Sequence, residues 1–185
     1  KGDIVLAYCH SCGFIFNRVF DPSLITFEPG YEASLFYSNK FRSYIQTLAE
    51  RLIEKFDVHG KTVLEIGCGA GDFLRLLCGL GKNIGIGIDP TVKKEEEESI
   101  NGGKIRFIRD YFSEQYISLD SDFICSLSVF EDIPDPMGFL KILRKMTNGR
   151  PDTAIYFEVP NSAYAFSNLS AWGIYYEQHN HFTKN

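Results

Sequence analysis

Residues 63–72 read Val-Leu-Glu-Ile-Gly-Cys-Gly-Ala-Gly-Asp, and this stretch decides the fold. The apolar start predicts a buried strand, and the glycines at 67, 69 and 71 predict a tight turn that leads into a helix. Glycines let a ligand approach bare backbone, and the first turn of a helix offers unpaired N–H groups with a partial positive charge. Glu65, near the strand end, is placed to accept hydrogen bonds from hydroxyl or amino groups. The stretch therefore predicts a nucleoside-type ligand at the carboxyl edge of a parallel sheet.

Asp72 bears on which ligand the turn holds. A dinucleotide fingerprint, Gly-x-Gly-x-x-Gly, places its third glycine where this chain has Asp72. An extra anion there would repel a pyrophosphate, so the turn favours a ligand with a cationic end and no phosphate. The alternative is a purely structural strand-to-helix turn.

Composition describes an ordinary globular chain and argues against two classes of partner. The chain has 185 residues, of which 44% are hydrophobic and 23% charged, and its net charge is -5. This negative charge, without a basic stripe, argues against binding to nucleic acid, and no apolar run is long enough to span a membrane. Five cysteines without disulfide-like spacing predict reduced thiols, with Cys68, Cys78 and Cys125 in the core, and a cytoplasmic location.

Apolar periodicity divides the chain near residue 35. Residues 1–35 contain chain-breaking prolines and glycines and are predicted to be irregular, whereas residues 36–56 repeat apolar side chains at helical spacing. From residue 61 the pattern alternates between strand and helix, which predicts an α/β fold with a mostly parallel sheet. The predicted strands are 61–66, 83–88, 104–109, 121–127 and 153–159, and the predicted helices are 71–79, 91–100 and 136–147. We interpret the charged run at 93–98 as a solvated helix face or a mobile segment, the alternative being an interaction patch.

Two further strand ends carry carboxylates. Asp89 ends the second strand, about 20 residues past the glycine turn, where an acidic side chain can bind ribose hydroxyls. The alternative is that Asp89 caps a helix beginning beside Pro90 and Thr91. Asp110 and Tyr111 follow the third strand, where a carboxylate can accept from an adenine amino group and a ring can pack on the base. The alternative for Asp110 is a strand-end turn.

The segment after the fourth strand completes a family resemblance. Residues 131–136 read Glu-Asp-Ile-Pro-Asp-Pro. Together with the glycine turn, this resembles class I S-adenosylmethionine (SAM)-dependent methyltransferases, whose corresponding stretch often reads Glu-His-Ile-Pro-Asp-Pro. Asp132 stands where that family has its histidine, and the alternative is that Asp132 and Asp135 cap the following helix.

The resemblance implies a Rossmann-like fold and a SAM cofactor, with S-adenosylhomocysteine (SAH) as product. The implied cofactor-binding residues are Glu65, Gly67, Cys68, Gly69, Gly71, Asp89, Pro90, Asp110, Tyr111, Leu127 and Phe130. The full sheet of this family has seven strands and five are predicted here, so we expect C-terminal strands to lie outside this chain, which begins at Lys1 and is interpreted as a fragment.

The end of the chain resembles a subgroup that contains sugar C-methyltransferases and related small-molecule enzymes. There the segment reads Glu-His followed by an aromatic pair and is implied to be catalytic. Here Glu177 matches, Gln178 replaces the histidine, and His181 stands where a tyrosine is common. The candidate catalytic residues are His179, His181, Glu177 and Glu158, and the alternative for the histidines is a surface loop.

Cys9-His-Ser-Cys12 has the spacing of half a zinc site. The same subgroup often begins with a zinc module whose other cysteines lie upstream. This implies that residues 1–35 are the remnant of an N-terminal zinc-ribbon-like module and that residues 36–185 are the SAM-binding domain. Cys9 and Cys12 would then bind zinc only if upstream cysteines complete the site.

The sequence thus predicts a SAM-dependent methyltransferase that acts on a small-molecule acceptor, with a nucleotide-linked sugar as one candidate. The alternative is a non-catalytic SAM- or nucleoside-binding domain that kept the fold and lost the chemistry at Asp132 and Gln178. A nicotinamide oxidoreductase is disfavoured by Asp72.

Overall fold

The computed structural model describes residues 2–29, 31 and 34–184. The helices are α1 (Asn39–Phe56), α2 (Asp72–Gly81), α3 (Pro136–Met146) and α4 (Ser162–Ser167). The strands are β1 (Leu6–Tyr8), β2 (Ile15–Asn17), β3 (Thr62–Ile66), β4 (Ile84–Ile88), β5 (Glu97–Ile100), β6 (Gly103–Ile108), β7 (Phe123–Leu127), β8 (Ala154–Glu158) and β9 (Asn180–His181). The chain divides into two compact units: unit 1 is Lys1–Thr26, Leu127–Phe139 and Phe157–Asn185, and unit 2 is Phe27–Ser126 and Leu140–Tyr156.

A six-stranded sheet has the strand order β5-β6-β4-β3-β7-β8. Strand β3 pairs in parallel with β4 on one side and with β7 on the other, and β4 pairs in parallel with β6. The five strands predicted from short apolar runs are confirmed as β3, β4, β6, β7 and β8, with ends shifted by one or two residues. The strand order reverses at β3, and such a reversal opens a crevice at the carboxyl ends of the strands.

The helices of unit 2 follow the predicted apolar stripes. Helix α1 begins after Ser38, whose side chain accepts a hydrogen bond from the backbone N–H of Phe41, and it is followed by Asp57 in the left-handed conformation. Its buried side chains are Ile45, Leu48, Ala49, Leu52 and Ile53. This spacing places one face of α1 in the apolar core. Helix α2 begins directly after the glycine turn, so the turn lies between the sheet and a helix N-terminus, as predicted.

Residues 91–100 do not form the predicted helix, and the interpretation of 93–98 as a solvated helix face is wrong. The segment ends in β5, an antiparallel edge strand beside β6. In β5, Glu97 lies opposite Arg106, and Glu98 accepts two hydrogen bonds from the guanidinium of Arg75. The strand places Glu97 and Glu98 beside the cationic side chains of Arg106 and Arg75, and this tertiary pairing overrides the local pattern.

Unit 1 contains a three-stranded sheet with the order β1-β2-β9, although residues 1–35 were predicted to be irregular. Strand β2 pairs antiparallel with both neighbours. Buried Asn17 locks the first pair: its side-chain oxygen accepts from the backbone N–H of Val5, and its amide donates to the carbonyl of Asp3. Each of the two N-terminal strands has only three residues, so neither is long enough to show an alternating pattern.

Three cysteines lie in the apolar core of unit 2. Cys68, Cys78 and Cys125 are buried and free of disulfides, which confirms the prediction of reduced core thiols. Burial raises the pKa of Cys68 and Cys125 well above the usual range, so both remain neutral. In the described part of the chain, no helix is long and apolar enough to cross a membrane.

Candidate functional site

The glycine turn at the end of β3 uses the left-handed backbone that its glycines allow. Gly67, Gly69 and Gly71 have φ angles of 74°, 52° and 82°. A Cβ added at Gly69 would meet no described atom within 4 Å, whereas one at Gly71 would lie 2.4 Å from the Phe107 ring. Packing therefore requires the glycine at 71, and the backbone at 69 has open space beside it.

Cys68, between these glycines, offers only its backbone to a ligand. The residue is 7% exposed. The sulfur packs on β4, because a Cβ added at Gly87 would lie 2.7 Å from it. If Cys68 binds the cofactor as predicted, it would do so through its backbone atoms.

Glu65 in β3 is a buried carboxyl with one unused oxygen. The residue is 3% exposed, and no described residue donates a hydrogen bond to its buried Oε2. Burial raises the pKa of Glu65 well above its usual range, a hydrogen bond from the Leu74 backbone lowers it, and the charges of Asp89 and Asp72 raise it again. A cationic group placed beside this oxygen would favour the charged carboxylate and remove an unsatisfied buried acceptor.

Asp89 ties the second strand end to the glycine turn. Its Oδ2 accepts from the backbone N–H of Gly69 at 2.8 Å, and its Oδ1 accepts from the backbone N–H and hydroxyl of Thr91. No helix follows within the described residues at Pro90, so the alternative role as a helix cap is replaced by an Asx turn. The carboxylate orients the loop backbone, and its ribose-binding role remains a prediction.

Asp110 is also held by its own neighbours. It accepts hydrogen bonds from the Tyr111 backbone N–H and from the side chains of Gln115 and Tyr116. Burial, with the hydrogen bond to Asp110, raises the pKa of Tyr116 to about 12. Tyr111 is 55% exposed, so its ring has a free face, as a base-stacking residue requires.

Asp72 adds a further acidic group beside the turn. It occupies the first position of α2, accepts a hydrogen bond from the Ser34 hydroxyl at 2.9 Å, and lies 4.0 Å from Arg75. The Arg75 guanidinium is itself paired with Glu98 at 2.7 Å. Glu65, Asp72 and Asp89 thus make the surroundings of the turn acidic, which suits a cationic ligand better than a phosphate.

In unit 1, Leu127 ends β7 and Phe130 begins a short 3₁₀ turn. Between them, Ser128 has a φ of 53°, an uncommon conformation for a non-glycine residue. The Phe130 ring stacks on Phe157 and Phe182, with centroids 5.1 and 5.2 Å apart. Aromatic packing in unit 1 thus fixes Phe130, and the cofactor-binding roles of Leu127 and Phe130 remain predictions.

Two adjacent acids, Glu131 and Asp132, lie in the same 3₁₀ turn. Among the described residues, no donor reaches the buried Glu131 Oε2 or Asp132 Oδ1. Burial raises the pKa of Glu131 to about 7, and the charge of Glu158 adds to this. Burial raises the pKa of Asp132 to about 8, with contributions from Glu131 and Glu177. Both carboxyls can exchange protons near neutral pH.

The two candidate histidines lie in and beside β9. His181 is 2% exposed, and its Nδ1 lies 3.4 Å from the Ser162 hydroxyl. His179 packs on the Phe20 ring with centroids 4.5 Å apart. Burial lowers the pKa of both histidines, so each is a neutral imidazole at pH 7 with a nitrogen that can accept a proton. The alternative of a surface loop is wrong for His181, which is in the interior of unit 1.

Glu177 and Glu158 complete the predicted catalytic set. Both are half-buried in unit 1, Glu177 acting electrostatically on Asp132 and Glu158 on Glu131. Unit 1 therefore brings all four candidates into the same compact part of the chain as the acid pair.

Asn180 is the functional candidate that sequence reasoning missed. It is 2% exposed, and its amide donates to the carbonyl of Ile133 at 2.7 Å. An asparagine between two histidines carries no periodic signal. Its only sequence clue is its position inside a segment already predicted to be catalytic.

Cys9 and Cys12 lie on the turn between β1 and β2. Hydrogen bonds from Cys12 and Ser11, of which that from the Cys12 backbone contributes most, lower the pKa of Cys9. In the described ranges, no group of three or more His, Cys, Asp or Glu side chains could hold a metal ion. The two thiols therefore form half of a tetrahedral site at most.

The sheet order and the glycine turn after its central strand define the Rossmann-like α/β fold of class I methyltransferases. Residues 37–184 match the family described as a methyltransferase domain, and the chain belongs to that family. No curated protein sequence matches the chain at significant similarity.

The chain is also similar to several solved methyltransferase structures. The methyltransferase domain of bacterial CtHen1 is 18% identical, with a TM-score of 0.53 over 73% of this chain and 74% of that one. Magnesium protoporphyrin IX methyltransferase from Synechocystis PCC 6803, solved with SAH, is 15% identical, with a TM-score of 0.49 over 72% and 62% of the chains. The plantazolicin methyltransferase BpumL, also solved with SAH, is 22% identical, with a TM-score of 0.47 over 74% and 55%.

The chain spans less than two thirds of several of these structures. It spans 57% of another structure of the Synechocystis enzyme, 55% of another of BpumL, and 65% of a SAM-dependent methyltransferase from Aquifex aeolicus.

Proposed function

We propose that this chain is a SAM-dependent methyltransferase acting on a small-molecule acceptor. The observation that carries the proposal is the open glycine turn at a sheet switch point, beside a buried Glu65 carboxyl with one unused oxygen. SAM has a sulfonium and an ammonium group, so it complements the acidic surroundings of this turn. Membership of a methyltransferase family supports the same conclusion.

The residues of unit 2 have distinct parts in holding the cofactor. Gly69 admits the ligand to the backbone, because nothing occupies the space beside its Cα. Glu65 would accept from an amino or hydroxyl group of the ligand, and Asp89 holds the loop by accepting from the Gly69 N–H. Asp110 and Tyr111 are proposed to accept from and pack on the adenine.

The reaction needs alignment above all. When bound, SAM supplies an electrophilic methyl carbon to an in-line nucleophile. Positioning can account for about 7–11 kcal/mol of the barrier, while a general base adds about 10²–10⁴-fold. His179, His181, Glu177 and Glu158 are the proposed proton acceptors, since the two imidazoles are neutral and both glutamates lie among the polar groups of unit 1. A nucleotide-linked sugar is the proposed acceptor class.

Zinc remains a separate proposal. Cys9 and Cys12 supply two of the four ligands that a structural site requires. Zinc at this turn would need two further ligands from outside the described residues.

Replacing Gly69 with alanine tests the cofactor site. The added methyl group meets open space in the protein, so the cost to folding is the backbone strain at a φ of 52°, about 1–2 kcal/mol, while the approach of SAH to the backbone is blocked. We expect calorimetric titration to show SAH affinity reduced by about tenfold or more, the effect of losing about 1.4 kcal/mol. Gly60→Ala is the matched control, because Gly60 also has a positive φ, 61°, and open space; its SAH affinity should be unchanged. Absence of SAH binding by the wild-type chain would overturn the proposal.

Glu65→Gln provides an independent test at constant side-chain volume. It removes the charge that the cationic end of the cofactor would restore, so SAH affinity should again fall by about tenfold or more. Thermal unfolding should not move to lower temperature, because the substitution removes a buried carboxyl that burial disfavours. An affinity equal to that of the wild type would exclude Glu65 from the site.

SAH binding by the wild-type chain without methyl transfer to any acceptor in a panel would favour the non-catalytic alternative.

A further inference from the structure

The carboxamide of Asn180 joins β9 to the turn that carries the acid pair. Its Nδ2 donates to the carbonyl of Ile133 at 2.7 Å and contacts the carbonyl of Phe130 at 3.5 Å. The backbone of Asn180 is in turn fixed by its pairing with Phe16 in β2. One buried side chain therefore holds both ends of the turn at residues 130–133.

The orientation of this amide is determined by its neighbours. Only the NH₂ group can face two carbonyl oxygens, because the flipped amide would place oxygen against oxygen. The Oδ1 atom is consequently directed away from both carbonyls, and it is buried without a donor among the described residues. Such an arrangement is costly for a residue that serves packing alone.

The turn needs this support because of what it contains. It begins after Ser128, which has a φ of 53°, and Val129, whose backbone is neither helical nor extended. It then places Glu131 and Asp132 side by side, each with a buried oxygen that no described residue bonds. Two neighbouring carboxyls in an apolar setting repel each other when charged, so a free turn would move them toward water.

We propose that Asn180 is a positioning residue, whose carboxamide fixes the 130–133 turn so that Glu131 and Asp132 form a carboxyl pair. This pair joins the four candidates of unit 1 as a group that can take up the proton the acceptor loses when it is methylated. The catalytic part of this inference rests on the proposed function. The other titratable groups that act on the pair are Glu158 and Glu177, which interact with it electrostatically. Since the acids titrate near neutral pH, the pair is suited to proton transfer there.

Carboxyl titration by NMR tests this role in the full chain labelled with ¹³C at Asp and Glu carboxyls. In Asn180→Ala, the released turn should admit water, and the titration midpoints of Glu131 and Asp132 should fall by about one pH unit or more. Asn180→Leu also lacks the donor but keeps the branching at Cγ, so it leaves no cavity and should give the same result even if the alanine variant fails to fold. The control is Asn168→Ala: Asn168 is exposed, its amide donates to the Tyr164 carbonyl at 2.8 Å, and its loss should leave both midpoints in place.

Unchanged midpoints in a folded Asn180 variant would overturn the inference. With an acceptor identified from a panel, the pH profile of kcat should shift in the same direction as the midpoints, with KM for SAM unchanged. A wild-type chain that fails to bind SAH would count against the proposed function, whereas unmoved midpoints count against Asn180 alone, so the two failures are distinguishable.

Discussion

Raising the pH from about 5.5 to about 8.5 should lower the free energy of unfolding of unit 1 by about 2 kcal/mol or more. This is what a pKa difference of about 1.5 units between the folded and unfolded states of one group is worth. The carboxyls responsible are Glu131 and Asp132, whose pKa values are raised to about 7 and about 8. In the unfolded chain both titrate near pH 4. The folded state therefore holds protons that the unfolded state has lost, and the stabilisation is complete below about pH 4 and disappears as pH rises through 7 and 8.

Urea denaturation across this pH range, combined with hydrogen exchange of the unit 1 amides, measures the effect. The double variant Glu131→Gln, Asp132→Asn should flatten the pH dependence, because neither side chain titrates. Asp135→Asn alters an exposed carboxylate in the same loop, and the pH slope should survive it. A wild-type stability that rises toward pH 8.5 would contradict the burial of the pair.

Gly71→Ala should cost about 3 kcal/mol or more in free energy of unfolding. Two effects add at this position: the residue has a φ of 82°, and the new Cβ would lie 2.4 Å from the Phe107 ring. The ring is also packed under the Arg75 guanidinium, 5.1 Å from its centroid, so it cannot move without disturbing that contact. Urea denaturation followed by circular dichroism measures the loss.

Gly60→Ala separates the two effects, because it has a similar φ of 61° and open space beside it. It should cost only about 1–2 kcal/mol, the backbone contribution. Adding Phe107→Leu to Gly71→Ala should recover part of the loss, giving a favourable coupling energy in the double-mutant cycle. Equal costs for the two alanine variants would show that the Phe107 contact is unimportant.

The parts of the fold set by local pattern could be predicted from sequence. Strands buried on both faces give short apolar runs, and α1 shows a regular apolar stripe, so the sequence predicts these elements correctly. The strand within residues 91–100 is not predicted, because its structure depends on Arg75 and Arg106, which lie outside the segment. The two N-terminal strands are too short to carry a period, and one of them depends on a partner at the other end of the chain.

The same distinction applies to the candidate site. The glycine turn was predictable because it needs particular residues at fixed spacing. That Asp89 and Asp110 are occupied by their own neighbours, rather than free, follows from loop geometry that sequence does not reveal. Asn180 is recognisable only when its two carbonyl partners are seen.

The pairing of β2 with β9 also governs when the protein can finish folding. Ile15 pairs with His181, so the whole of unit 2 is translated between the two strands. On the ribosome, unit 2 can reach its native contacts while the N-terminal hairpin still lacks its third strand. Closing so long a loop is slow, and an exposed strand edge attracts other chains in the meantime. During synthesis, the N-terminal hairpin therefore waits with one strand edge exposed until residues 180–181 have been made.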